Sequence, residues 1–551
     1  MFFFIFEKKY TLKKYTLLLL FIFSCSVWGQ KDNTIKLDHA DFTVSNQNKI
    51  PDAIIYTGNV SVIQNNIKIK CNKAYHFTKE NYIKAFGSVQ INQSDSLFLN
   101  SEYAEYNGDA ELAFATGNVS MRSPDSSIKT DTIYFNKKSQ VAYYNSYGTI
   151  LNKNNTLKSK SGKYLISQKK YQFTSQVVVT NPQSIVKTNH LDYYENSGHA
   201  YVYGPSTITN KADFIYTENG FYDTQNNLAK LKNNSYIIYK TKRIEGDEIF
   251  YDRDKNFSIL KNNIKVTDTL NKFVAKGHYA EVYQNPRTKN DSIILTKKAL
   301  LINVVEKDSF YLHGKQIRIT GTPDNRKIRA FNNVRFFKSD MSGKCDSIHS
   351  SNKTKLTQLI GRPVLWNNGS QLTGDVIHLI GNNKTNQMDS LKIITNSFII
   401  QKDTLGLGFN QTKGVNLFGR LEDKKLKEVD IIKNTESIYY SYNDDKELIG
   451  IDKSICSRIN MLLEDNQIEQ ITRFDNAEGI TYIPENFPEN ARKLRGFIWR
   501  GDEKITSLEN IFPQEELDYD TKVKGIEIKN EPMKILKETL EYDELKKTDK
   551  K

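Results

Sequence analysis

The chain has 551 residues, of which 38% are apolar and 26% charged, and it contains only 11 prolines. That composition excludes a collagen-like or low-complexity polymer, and the length suits about three or four domains of roughly 150 residues, or one long repeat array. The 78 Lys and Arg outnumber the 64 Asp and Glu by 14; the sign favours an anionic partner without choosing among nucleic acid, anionic lipid and acidic glycan.

The first element in chain order is a targeting segment. Lys8, Lys9, Lys13 and Lys14 precede a short apolar run, Leu17–Phe23, and Val27 and Gly29 stand at the −3 and −1 positions of a cut before Gln30. This is the layout of a secretory signal peptide over residues 1–29. Lipidation at Cys25 fits less well, because Ile22-Phe23-Ser24 departs from the usual Leu-small-small box. No run of 18 apolar residues occurs, so no transmembrane segment is expected in the mature chain. Cleavage leaves Cys71, Cys345 and Cys456, an odd number without metal-ligand spacing. They read as small fillers in strands.

A repeat of about 30 residues follows. Gly58-Asn59-Val60, Gly87-Ser88-Val89, Gly117-Asn118-Val119 and Gly148-Thr149-Ile150 recur at steps of 29, 30 and 31 residues. Tyr75, Tyr103, Tyr134, Tyr164 and Tyr193 keep the same beat, and Ala85 and Ala115 precede their glycines by two. The next slot, Ser175-Gln176-Val177, keeps only the valine. Within each unit apolar residues alternate with polar ones, as in Val60/Val62, Ile67/Ile69/Cys71, Val89/Ile91 and Leu97/Leu99. Period two means strands with one buried face. Asn-Asn pairs such as Asn65-Asn66, Asn233-Asn234 and Asn262-Asn263, and Asn219-Gly220, read as tight turns between strands, because Asn tolerates left-handed angles. One such unit cannot bury its apolar face alone; stacked copies can.

Gln284–Asp291 is a polar, Pro-containing break and a candidate boundary between a first repeat region, 30–284, and a more divergent one, 285–483. Prolines 484, 488 and 513 mark a change of texture in 484–551, and Met533, Leu536 and Leu540 after Pro532 predict a short C-terminal helix over 531–547. No metal-ligand, nucleophile-elbow or phosphate-loop motif appears, and the eight histidines are scattered singly. No cofactor and no metal are expected, and Gly246-Asp247-Glu248 reads as a solvated turn.

Signal peptide, repeated Gly-Asn-Val or Gly-Ser-Val units and interleaved Asn72-Lys73-Ala74-Tyr75 and Ser101-Glu102-Tyr103-Ala104 strands together resemble the OstA-like (organic solvent tolerance) family. The match is clear over about 50–205 and weaker to about 480. The resemblance implies an all-β fold, an elongated open β jelly roll built from these repeats, with a short helical segment at the C-terminus. It implies a non-enzymatic, periplasmic protein, associated in some members with the outer membrane, whose apolar interior holds the acyl chains of lipopolysaccharide. Partners would be lipopolysaccharide and other jelly-roll proteins joined by edge-strand pairing, with no nucleic acid. The expected lipid-facing residues are Val60, Val62, Ile67, Ile69, Val89, Ile91, Leu97, Leu99, Val119 and Met121. The chain departs from the family in being longer than a single-jelly-roll bridge protein and in lacking a C-terminal barrel pattern. Two other readings of the repeats stay open: an exported β-solenoid acting on polysaccharide, and a surface β-repeat adhesin or scaffold.

Overall fold

A computed structural model describes residues 34–516 apart from one- to five-residue stretches, most of them at turns. The expected signal peptide, the Cys25 alternative and the 531–547 helix lie outside the described residues. Among those residues there are 38 strands, antiparallel wherever their pairing is defined, eight single 3-10 turns and no α-helix. Among the described residues no helix is long and apolar enough to cross a membrane. Contacts divide the chain into two compact units, residues 1–170 and 171–551.

In the first unit the chain order is β1 (Lys36–His39), β2 (Phe42–Ser45), β3 (Ala53–Gln64), β4 (Ile67–Phe77), β5 (Tyr82–Gln93), β6 (Leu97–Asn107), β7 (Leu112–Arg122), β8 (Ser126–Asn136), β9 (Val141–Tyr144), β10 (Gly148–Asn152), β11 (Asn155–Ser159) and β12 (Ser161–Leu165). Each long strand is bent near its middle. The pairing of β3 with β4 breaks between Thr57 and Val60, that of β5 with β6 between Phe86 and Val89, and that of β7 with β8 between Thr116 and Val119. Those breaks are the glycine repeat. Gly58 and Asn59, Gly87 and Ser88, and Gly117 and Asn118 are consecutive residues with positive φ. Two left-handed residues in a row turn the strand and re-aim its side chains, as a β-bulge does. A Cβ on Gly117, φ +81°, would stand 2.8 Å from the Cβ of Glu102 on β6. Glycine is therefore required there by space as well as by angle.

The bend divides every strand into two arms, and each arm pairs only with the like arm of its neighbours. One arm runs through 53–57, 73–77, 82–86, 103–107 and 112–116; the other through 60–64, 67–71, 89–93, 97–101 and 119–122. Tyr75, Tyr103 and Tyr134 lie on the outer surface of the first arm, whereas Tyr164, opposite Ala142, lies on the inner face. Tyr75, Phe86, Tyr103, Phe114, Tyr134 and Tyr143 form a ladder of rings with successive centroids 5.0, 4.9, 6.4, 5.2 and 4.9 Å apart, a cross-strand packing worth about 0.2–1 kcal/mol per pair.

The second unit uses the same corner with different residues. Ser175-Gln176, Asn233-Asn234, Asn262-Asn263 and Asn332-Asn333 are all consecutive positive-φ pairs inside long strands. Several turn and loop expectations are thereby corrected. Asn233-Asn234 and Asn262-Asn263 are mid-strand corners and Asn219-Gly220 lies inside the strand Asp213–Asp223, whereas Asn65-Asn66 is the hairpin turn between β3 and β4. Gly246-Asp247-Glu248 lies within the strand Lys242–Asp252, where Asp247 accepts a hydrogen bond of 2.8 Å from Asn263. A single core of apolar residues from both arms fills this unit, including Leu260, Val266, Leu295, Ile317, Phe336, Leu359 and Ile431.

Residues 484–516 form an irregular strap across the outer face of one arm of the second unit. Gln371 and Gln411, 0% and 1% exposed, each grip its backbone twice. The Gln371 amide donates to Ile498 O and accepts from Arg500 N, both at 2.7 Å; the Gln411 amide donates to Arg492 O at 2.8 Å and accepts from Leu494 N at 2.9 Å. Phe487 and Leu494 join Phe398, Ile400, Ile438 and Ile451 in a second small core. This is why Gln371 and Leu372, adjacent on one strand, are both buried: one faces the strap and the other the interior.

Candidate functional site

The candidate site is the inner surface of the first unit. Val60, Val62, Ile67, Ile69, Val89, Ile91, Leu99, Val119 and Met121 are all buried on one face of the second arm. Leu97 sits on the same strand face at the arm's end and is half-buried. The register aligns them into straight rows across the strands. Val62 faces Ile69, Ile69 faces Ile91, Ile91 faces Leu99 and Leu99 faces Met121. The row continues through Ile128, Ile150 and Leu157. At about 4.8 Å per strand, eight strands carry an apolar track about 34 Å long.

The opposite wall carries four alanines between a tyrosine and an isoleucine. Tyr56, Ala74, Ala85, Ala104, Ala115 and Ile133 stand in register on the first arm, and all are buried. Ala85 and Ala115 precede the repeat glycines, and Ala74 and Ala104 belong to the interleaved motif strands; the motifs contain all four without assigning them to an inner wall. Beside this row lie His76, Ile83 and Tyr106. The Tyr56 hydroxyl is 3.0 Å from His76 Nδ1. The Tyr106 hydroxyl is buried without a hydrogen-bond partner, and burial pushes its pKa up to about 12. Burial also lowers the pKa of His76, so that imidazole is neutral at pH 7.

At each corner a small side chain on the inner face hydrogen-bonds its own strand two residues on. Cys71 Sγ donates to Lys73 O, Ser101 Oγ to Tyr103 O and Ser159 Oγ to Ser161 O. Cys345 and Cys456 make the same bond in the second unit, to Ser347 O and Arg458 O. The three cysteines are thus corner donors in serine and threonine positions, more specific than fillers. An acid on the preceding strand or turn clasps the neighbouring corner. Asn118 donates to Glu102 at 2.7 Å, and Asn59 donates to Asp41 at 3.0 Å.

The side away from the corners is bridged at the start of the unit. Gln64 Nε2 on the second arm reaches Gly108 O on the first at 3.5 Å. Ile35 N, just before β1, donates to Asn81 Oδ1 at 2.8 Å. Chemically the arrangement offers apolar area and a few neutral hydrogen-bonding groups. Among the described residues no three His, Cys, Asp or Glu side chains are placed to hold a metal ion.

Residues 32–189 match the family described as OstA-like protein. A search of curated proteins finds no match. Among solved structures, a similar chain is LptH, described as the LptA-homologous periplasmic component of the conserved lipopolysaccharide transport device from Pseudomonas aeruginosa. It is 11% identical, with 22% of the present chain and 82% of that chain covered and a TM-score of 0.20.

Proposed function

We propose that this chain, OstA-like over residues 32–189, is a periplasmic lipopolysaccharide-binding protein serving transport to the Gram-negative outer membrane. On this reading the two arms of the first unit part to take acyl chains between them, and the protein is a carrier that performs no catalysis. The supporting observation is the unbroken apolar row from Val62 to Leu157 facing the alanine-bearing wall. Both rows are covered in this structure, so acyl chains enter only as the arms separate, and each methylene moved out of water contributes about 0.8 kcal/mol. The lipid contacts are Val60, Val62, Ile67, Ile69, Val89, Ile91, Leu97, Leu99, Val119 and Met121.

Free sheet edges support joining to further jelly-roll proteins. Among the described residues β1 and β2 pair only with β3 and are exposed throughout; Phe42 and Val44 point outward, while Leu37, opposite Val62, lies on the inner face at the end of the sheet. In the second unit, among the described residues, Gln467–Phe474 and Glu478–Tyr482 pair only with Leu448–Glu464. Unpaired strand edges add strands readily. The test is co-elution of the purified mature chain with lipopolysaccharide on gel filtration. Binding of the intact glycolipid but not of its deacylated saccharide supports the proposal; equal binding of both, or of neither, contradicts it.

A further inference from the structure

One outer face of the second unit carries a feature that the carrier reading does not use. Six neighbouring strands place Arg318, Arg329, His349, Gln358, His378 and Lys392 directly opposite one another in a single row. Their inward neighbours, Ile317, Ile319, Ala330, Ile348, Leu359, Ile377, Leu391 and Ile393, are core, so the row faces outward. Ile294 and Phe418 bound it, and the first carboxylates in the same register, Glu281 and Asp430, stand one strand further out. None of the three strong cations is taken up by an acid among the described residues. Arg318 bonds only Gln316 at 2.9 Å and lies 5.8 Å from the Phe331 ring centroid, and Lys392 lies 5.8 Å from that of Phe418. A second row runs alongside: Gln316, Phe331, Ser347, Ile360, Val376 and Ile394.

We infer that this face binds a linear acidic polysaccharide, one uronate sugar per strand. The geometry selects the occupant. The charged groups form a line about 24 Å long and one residue wide, at about 4.8 Å per strand, whereas a bilayer would call for a broad cationic surface. The step is close to the length of one extended pyranose unit, and because successive sugars turn about the chain axis, carboxylates meet the row at intervals, at the Arg318–Arg329 end and at Lys392. Guanidinium groups hold carboxylates in fork geometry, His349 and the Gln358–His378 pair, bonded to each other at 3.0 Å, present neutral polar groups between the cations, and the C–H faces of the sugars lie on Phe331, Ile360, Val376 and Ile394. The sheet separates this row from the interior, so the site is independent of acyl-chain binding.

Binding of a fluorescent hexagalacturonate to the full mature chain, followed by polarisation, tests the inference. The triple variant Arg318→Glu/Arg329→Glu/Lys392→Glu should bind at least tenfold more weakly. Lys129→Glu/Lys158→Glu/Lys163→Glu, the same change in net charge on exposed positions elsewhere, should stay within twofold of the parent. Equal loss in both variants reduces the effect to net charge and overturns the site, as does absence of binding by the parent. Retained co-elution of the first variant with lipopolysaccharide, at unchanged circular dichroism, shows that the row and not the fold was lost. Co-elution that falls with hexagalacturonate binding contradicts the separation of the two sites.

Discussion

Joining the two arms of the first unit should abolish glycolipid binding. The arms are held at their open side by Gln64–Gly108, at 3.5 Å, and Ile35–Asn81, at 2.8 Å. Two such bonds contribute about 1 kcal/mol each. The buried inner rows must also separate, but an acyl chain with a dozen methylenes gains on the order of 10 kcal/mol when it leaves water and replaces that apolar packing as it enters. A covalent link cannot be opened this way. Cysteines introduced at Asn66 and Ala110, two residues from the bridging pair and both exposed, can be joined by a short, cleavable bismaleimide. The linked protein should bind lipopolysaccharide at least tenfold more weakly than the unlinked double variant, and cleavage of the linker should restore binding. Undiminished affinity of the linked form would refute the idea that cargo enters between the arms.

Three further outcomes follow from the packing. Gln411→Ala leaves Leu494 N and Arg492 O without the partners that hold them; it should cost about 1–3 kcal/mol, and hydrogen exchange should rise across 484–516 before it rises in the sheet. Gly117→Val should destabilise by about 2–3 kcal/mol in denaturant titration, through the positive φ and the 2.8 Å approach to Glu102, whereas Gly117→Asn should cost less, because Asn262 and Asn332 hold the same conformation. Burial pushes the thiols of Cys71 and Cys345 up to about 11 and about 12. The folded protein holds these protons more tightly than the unfolded chain. Their contribution to stability is therefore complete below the ordinary thiol pKa, 9.0, and is lost as pH rises through the folded values. Native protein should resist thiol reagents at pH 8 and react after denaturation.

The repeat period carried the fold because the same three constraints recur in each unit: a left-handed pair, a small donor at the corner and alternating apolar residues. Gly117-Asn118 advertises the corner. Asn262-Asn263 does not, since Asn65-Asn66 uses the same dipeptide in a hairpin; only register distinguishes them. Ser175-Gln176 keeps the corner with neither Gly nor Asn, so packing across the strands imposes the angle there. The strap was legible only as a change of texture. It has no hydrophobic period, and its anchors, Gln371 and Gln411, look like ordinary polar residues until the segment that covers them is in place. The inner rows of the candidate site were legible from alternation, while the facing alanines carry too little hydrophobic contrast to stand out. The basic row from Arg318 to Lys392 joins residues up to 74 positions apart and exists only through strand register.

Site-specific photo-crosslinking in living cells tests the central claim most directly. Probes replacing Val62 and Ile91 face the interior, and probes at Lys68 and Gln90 face outward on the same arm. Lipopolysaccharide trapped at Val62 and Ile91 but not at Lys68 and Gln90 is the predicted result. Crosslinks from the interior positions to protein alone would contradict it.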